Sequence, residues 1–344
     1  VPHTTPMKDD KIFLSHGAGG KQSRTLVEKI ILKYFNDPLL VALPDSATFD
    51  ILDSRKTFCF TTDSYVVNPV FFPGGDIGKL AVCGTVNDLA VCGAKPLFIS
   101  CAMIIEEGFS INDFERILRS MATTARKVGV RIVTGDTKVV DRGKCDGIFI
   151  TTSGIGIKKN NVCSGLSSIR PGDAIILSGV PGLHELSIIC AREHFNFTVS
   201  LKSDCAPIYF LVEKMLGSSA RIKFMRDPTR GGVASVLNEI VAGNNFGIRI
   251  YEEKIPLTEQ VRSLCDIFGF EILHLASEGR VVMVVDKNDA QKLLDVMKKH
   301  PLGKRAEIIG NVIREFPGRV ILKTKFGSER FVEMPSGKQL PRIC

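Results

Sequence analysis

The sequence predicts an α+β chain of two domains followed by a short irregular tail. Three observations carry this reading. Strand-like and helix-like periods alternate along nearly all of the 344 residues. A polar stretch at 160–168, followed by the turn Arg170-Pro171-Gly172-Asp173, interrupts them near the middle. The last ten residues, 335–344, hold two prolines, one glycine and no amphipathic period. Length alone suggests about two domains at roughly 150 residues each. The expected divisions are a Gly-rich loop and helix at 1–40, a first domain at 41–160, a second at 169–333, and a tail at 334–344.

In order along the chain, Ser15-His16-Gly17-Ala18-Gly19-Gly20-Lys21-Gln22 opens a helix to about residue 34. A strand follows at 58–67, a helix at 76–92 ended by Gly93, and a strand at 97–106. The clearest helix is 110–128, where Ile111, Phe114, Ile117, Leu118, Met121, Ala125 and Val128 share one face. Ser110 with Asp113 approaches a capping box and Gly129 supplies the C-cap. Further strands are expected at 131–133 and 147–157. The second block reads as a strand at 174–178, helices near 184–193, 206–216 and 232–242, and a strand at 248–251. A helix near 258–268, a strand at 280–285, a helix near 288–299 and a strand at 306–313 follow. A hairpin turning at Phe326-Gly327-Ser328 closes the block.

Composition excludes several classes. The net charge of +8 is spread over scattered Lys and Arg, and Trp is absent, which argues against a nucleic-acid surface. An anionic small ligand fits the charge better. No apolar run nears the ~20 residues that span a bilayer, and the first ten residues do not resemble a signal peptide. The ten cysteines form no Cys-x-x-Cys pair, so a zinc or iron–sulfur centre is not expected. Most lie in apolar surroundings, as reduced thiols of a cytoplasmic protein do. Cys344 differs because it is the last residue.

The acidic positions carry the chemistry. Asp45, Asp63, Asp88 and Asp136 lie in segments that otherwise look buried, and an unpaired buried carboxylate is costly. Each alone also suits a turn or cap. Together they suit Mg²⁺, which takes a few carboxylates plus nucleotide phosphates. Asp227-Pro228-Thr229-Arg230-Gly231-Gly232 opens a helix whose free N–H groups suit an anion. No Walker A loop occurs, and the loop around Gly19 and Lys21 matches no dinucleotide fingerprint; a flexible lid is its expected use. The tail from 337 to 344 reaches at most about 25–29 Å.

These strings resemble those of the hydrogenase maturation factor family HypE, the carbamoyl dehydratases. The likeness runs from about residue 12 to 344. It rests on Ser15-His16-Gly17-Ala18-Gly19-Gly20-Lys21, on Thr61-Thr62-Asp63-Ser64 with Gly74-Gly75-Asp76-Ile77-Gly78-Lys79, and on Val133-Thr134-Gly135-Asp136-Thr137-Lys138. Arg226-Asp227-Pro228-Thr229-Arg230-Gly231-Gly232 and the ending Pro341-Arg342-Ile343-Cys344 complete it. The aspartate strings are common to the wider superfamily of aminoimidazole ribonucleotide and selenophosphate synthetases; the ending is particular to the hydrogenase factors.

The resemblance implies a two-domain PurM-like fold and a homodimer pairing its N-terminal sheets, with ATP and Mg²⁺ near that interface. It implies that the carbamoyltransferase HypF loads Cys344, and that this chain dehydrates the carboxamide to a thiocyanate. The cyanide then passes to a HypC–HypD iron scaffold. Asp45, Asp63, Asp88 and Asp136 are the expected metal and nucleotide ligands, with Asp227, Arg230, Gly19 and Lys21 on the phosphate side. Lys138 is expected to neutralise the transferring phosphate and Glu278 to act as base. The chain departs from the family at Gly182-Leu183-His184-Glu185, usually Gly-Asp-His-Gly, and at Ser277, often Asn or Cys. Two alternatives stand beside this reading: another ATP enzyme of the superfamily acting on a free small molecule, and a non-catalytic carrier that docks through its tail.

Overall fold

The computed structural model describes residues 20–34, 41, 43, 46–50, 56–158, 165–192, 201–335 and 342–344. Gly19 and Asp45 lie outside the described residues, as do most of the Gly-rich loop and residues 336–341 of the tail. The expected first helix is broken: α1 (Lys21–Leu26) and α2 (Leu32–Tyr34) flank a π-helical turn at Val27–Ile31.

The first sheet contains β1 (Ala47–Asp50) and β2 (Thr57–Tyr65). A small hairpin of β3 (Phe71–Phe72) and β4 (Gly75–Asp76) follows. The sheet is completed by β5 (Ala94–Glu106), β6 (Arg131–Val140) and β7 (Ile148–Lys158), in the order β1-β2-β7-β5-β6. Its neighbours are antiparallel except β5 with β6. Side chains alternate between faces with period two. On β2, Cys59, Thr61 and Tyr65 are buried, while Phe60, Thr62 and Ser64 are exposed.

Helices α3 (Ile77–Val91) and α4 (Ile111–Val128) cover the buried face. The Asp76 carboxylate caps α3, accepting from Gly78 N at 2.8 Å and Lys79 N at 3.0 Å. Helix α3 is buried nearly all round because the sheet lies on one side and the second-domain helix Tyr209–Leu216 on the other. Gly78 lets α4 approach: a Cβ there would lie 2.6 Å from Ile117 O. The opposite face is open, and the cross-strand row Phe60, Ile155 and Phe98 is exposed on it. Edge strand β6 runs seven residues past its expected end at 133, because the parallel ladder with β5 shifts register at Val133 and then runs on from Ser100↔Thr134 to Glu106↔Val140.

The second sheet comprises β8 (Ala174–Leu177), β9 (Ile222–Arg226), β10 (Gly247–Tyr251), β11 (Val282–Val285), β12 (Glu307–Ile313), β13 (Val320–Lys323) and β14 (Glu329–Phe331). The strand order is β14-β13-β10-β12-β8-β11-β9. The inner strands β8 and β11 are buried on both faces, so they read as unbroken apolar runs. Helices α5 (Leu183–Arg192), α6 (Tyr209–Leu216), α7 (Gly232–Val241), α8 (Glu259–Phe268) and α9 (Ala290–Lys298) pack around the sheet. The helix expected from 206 starts only at Tyr209. Pro207 has no N–H, and the N–H groups of Cys205, Ala206 and Ile208 bond to Ser203 Oγ, Glu278 O and Asn87 Oδ1 instead. The α+β class agrees with the sequence reading. Among the described residues no helix is long and apolar enough to cross a membrane.

Candidate active site

The site forms where the end of β2, the start of α7 and the turn before β11 meet the C-terminal tripeptide. On the first-domain side, Thr61 Oγ1 donates to Asp88 Oδ2 at 2.7 Å, and Tyr65 Oη donates to Asp63 Oδ2 at 3.3 Å. Gly84 makes room for that phenol: a Cβ there would sit 2.3 Å from Tyr65 Oη. Burial, reinforced by the charges of Asp63 and Asp88, pushes the Tyr65 hydroxyl well above its ordinary range, so it stays a neutral donor.

On the second-domain side, Glu278 is 2% exposed. Its backbone N–H donates to Asp204 Oδ1 at 3.1 Å. Gly279 permits the close turn, since a Cβ would meet Asp204 O at 2.0 Å. From α3, Asn87 Nδ2 donates to Ala206 O at 3.1 Å and Glu278 O at 3.3 Å, while its Oδ1 accepts from Ile208 N at 2.9 Å. One first-domain amide thus fixes the loop that carries Glu278. Burial raises the Glu278 carboxyl well above the usual range, and the Cys205, Asp227, Asp204 and Asp63 groups push the same way. The Asp227–Arg230 turn is held by Ser277 N donating to Pro228 O at 2.9 Å. At Gly232 a Cβ would collide with the carbonyls of Leu273 and Leu275 at 2.6 Å, which accounts for the second glycine of that pair.

The tail ends inside this cluster. Ile343 is buried in the core, and Cys344 is partly buried against it. Burial pushes the Cys344 thiol up to about 12; Arg230 opposes the rise, and Glu278, Asp63 and Glu185 add to it. Arg230, which keeps an exposed flank, is raised chiefly by Cys344, then by Asp63 and Glu278. The docked thiol is therefore protonated at neutral pH and is a poor nucleophile.

Of the sequence-predicted residues, the fold gathers Asp63, Asp227, Arg230, Glu278 and Cys344 in one place, with Asp88 beside Thr61. Lys21 lies at the exposed start of α1, where its N–H donates to Pro335 O at 3.2 Å near the root of the tail. Asp136 and Lys138 stand apart. They form an exposed ion pair at 2.7 Å on β6, in register with Ala102 and Ile104 of the open face. Three strand spacings, about 14 Å, separate β6 from β2. The Lys138 ammonium and the Thr137 N–H hold the Asp136 carboxyl below its ordinary range. Within one chain these two residues do not join Asp63 and Asp88. Among the described residues, no three His, Cys, Asp or Glu side chains gather in a metal-holding cluster.

Six further residues belong to the site: Tyr65, Asn87, His184, Glu185, Asp204 and Ser277. His184 is fully buried and donates to the Ile343 carbonyl at 2.5 Å. The Glu185 carboxylate accepts from Ala276 N at 2.7 Å, and burial lifts its pKa to about 7. The departure at 182–185 is thus built into the site, and so is Ser277, whose Oγ accepts from Gly182 N at 2.9 Å.

Residues 44–158 match the AIR synthase related protein N-terminal domain, and 170–323 match the C-terminal domain of the same family. A putative hydrogenase expression/formation protein of Methanocaldococcus jannaschii is 48% identical over 97% of this chain and 100% of its own length. The carbamoyl dehydratase HypE of Rhizobium leguminosarum bv. viciae is 46% identical over 97% of this chain and 95% of its own length. Among solved structures, that of a HypE–HypF complex matches with a TM-score of 0.84 and 47% identity, covering 90% of this chain and 99% of that one. A hydrogenase maturation protein HypE in complex with ATP matches with a TM-score of 0.80 and 41% identity, covering 97% and 100%. With nearly full-length identity above 40% and both family domains matched, the chain belongs to the carbamoyl dehydratase HypE family and has its two-domain PurM-like fold.

Proposed function

We propose that this chain uses ATP to dehydrate a carbamoyl group carried on its own Cys344, giving a thiocyanate for hydrogenase maturation. The observation that carries the reading is the position of the C-terminal residue, whose thiol lies among Arg230, Glu278 and Asp63. A carboxamide oxygen leaves poorly as hydroxide. Phosphorylated, it leaves as phosphate, and loss of the two N–H protons makes the nitrile. Glu278 is the base for an N–H proton, because its buried carboxylate is a stronger proton acceptor than an exposed one. Arg230 faces the oxygen that gains charge, and Tyr65 holds Asp63 in place.

The oxygen-only corner of Thr61, Asp63 and Asp88 fits a hard cation that takes its other ligands from phosphates. Asp63 and Asp88 are the residues that would hold Mg²⁺, with Asp45 as the expected third. Bound there, Mg²⁺ supplies charge neutralisation at the transferring phosphoryl group. Asp136 and Lys138 fit the nucleotide site through a homodimer. The exposed row Phe60, Ile155 and Phe98 supports pairing of two open sheet faces, which places β6 of each copy in the interface.

The docked thiol, held near pKa 12, does not load itself. A carbamoyltransferase of the HypF type takes that role in this reading, supported by likeness to a protein solved with HypF. A HypC–HypD scaffold is the acceptor. Cys344→Ala should abolish carbamoyl-dependent ATP turnover. Turnover unchanged in that variant, or retained after deletion of the last eight residues, would sink the reading in favour of a free small-molecule substrate.

A further inference from the structure

The three described tail residues pair with 66–68 in antiparallel fashion. Asn68 N donates to Arg342 O and Val66 N to Cys344 O, both at 3.1 Å. Such backbone bonds are indifferent to the side chains present. The Ile343 carbonyl between them turns the other way and meets His184 Nε2 at 2.5 Å.

A carbonyl only accepts, so Nε2 carries the hydrogen and Nδ1 offers its lone pair. Ser203 Oγ donates to that Nδ1 at 2.8 Å and itself accepts from Cys205 N at 2.9 Å. Ser203 N donates to Pro73 O at 2.8 Å, which ties the relay to the first domain. The edge of Phe72 packs on the imidazole, with centroids 5.3 Å apart at 83°. Burial lowers the imidazole pKa, which keeps the ring in the neutral form that this relay needs.

We propose that His184, backed by Ser203, is a positioning residue that holds the C-terminal strand inward and presents whatever Cys344 carries to Glu278 and Arg230. The chemistry presented rests on the function proposed above, but the latch is testable without nucleotide, partner or carbamoyl group.

In the free full-length chain, iodoacetamide labelling of Cys344 is followed by mass spectrometry of the C-terminal peptide. Amide hydrogen exchange is read in parallel at Val66 and Asn68. His184→Ala should speed labelling about tenfold, as one buried hydrogen bond is lost and a carbonyl is stranded, and both amides should lose protection. His184→Gln, which returns an N–H near the Nε2 position, should restore most of the wild-type rate. Ser203→Ala, at a partly exposed position that folds even if His184→Ala does not, should speed labelling about threefold. Wild-type labelling in folded His184→Ala or in Ser203→Ala overturns the proposal. So does a His184→Gln chain that labels like His184→Ala. A latch that behaves as expected in a chain without carbamoyl-dependent ATP turnover would leave this inference standing and remove the dehydratase reading.

Discussion

Glu278→Gln is expected to slow dehydration of a carbamoylated tail by about 10²–10⁴-fold, the usual worth of a positioned base, while raising the melting temperature. The two effects have one cause. The carboxyl is buried among Asp227, Asp204 and Asp63, so the folded chain holds its proton more tightly than the unfolded chain does. Between the unfolded pKa and the raised folded pKa, the native state binds more protons. Stability therefore falls as pH rises through that window. Glutamine fills the same space with no charge to bury, so its advantage in melting temperature should grow from pH 5 to pH 8. The wild-type rate should move the opposite way, rising with pH as more of Glu278 ionises. Single-turnover mass spectrometry and thermal melts at the two pH values check both. A variant that reacts normally, or melts lower at pH 8, contradicts the role.

Asn87→Ala is expected to cost about 3 kcal/mol or more and to reduce dehydration as well, because it strands several buried groups at once. Asn87 is fully buried in α3, yet all three of its hydrogen bonds go to second-domain backbone. With alanine, Ile208 N loses its acceptor, and Ala206 O and Glu278 O lose a donor. Ala206 O and Glu278 O lie in the two segments that flank the base. The unfolding midpoint in urea should fall, and the residual activity of the folded fraction should fall with it. An unchanged midpoint would show that the two domains are aligned by other contacts.

Much of the fold was legible because its signals are local. The 110–128 helix has one apolar face, a serine cap and a closing glycine, and α4 is found at Ile111–Val128. Asp63, Asp227 and Arg230 stand out as polar residues in apolar or glycine-rich strings, Glu278 enters only through the family resemblance, and all four meet at the tail. What was not legible depends on which faces meet. Lys138 and Asp136 read like their partners in sequence, but strand order puts them on the far edge and the open face. Asn87 sits next to the more conspicuous Asp88, and its partners come only from the second-domain segments at 206–208 and 278 that fold against α3. His184 was hidden by the departure of its loop from the family pattern, although a histidine kept between two altered neighbours was a usable signal. Gly19 and Asp45, expected in the site, lie outside the described residues.

In the proposed reaction the substrate is carried on Cys344 of this chain. Intact mass spectrometry of the C-terminal peptide tests it most directly, after incubation with the loading carbamoyltransferase, carbamoyl phosphate and ATP. The expected result is a carbamoyl adduct on Cys344, and loss of one water from that adduct when the loaded chain, freed of the transferase, is given ATP. An adduct that persists unchanged while ATP is consumed, or a tail that is never modified, would contradict it.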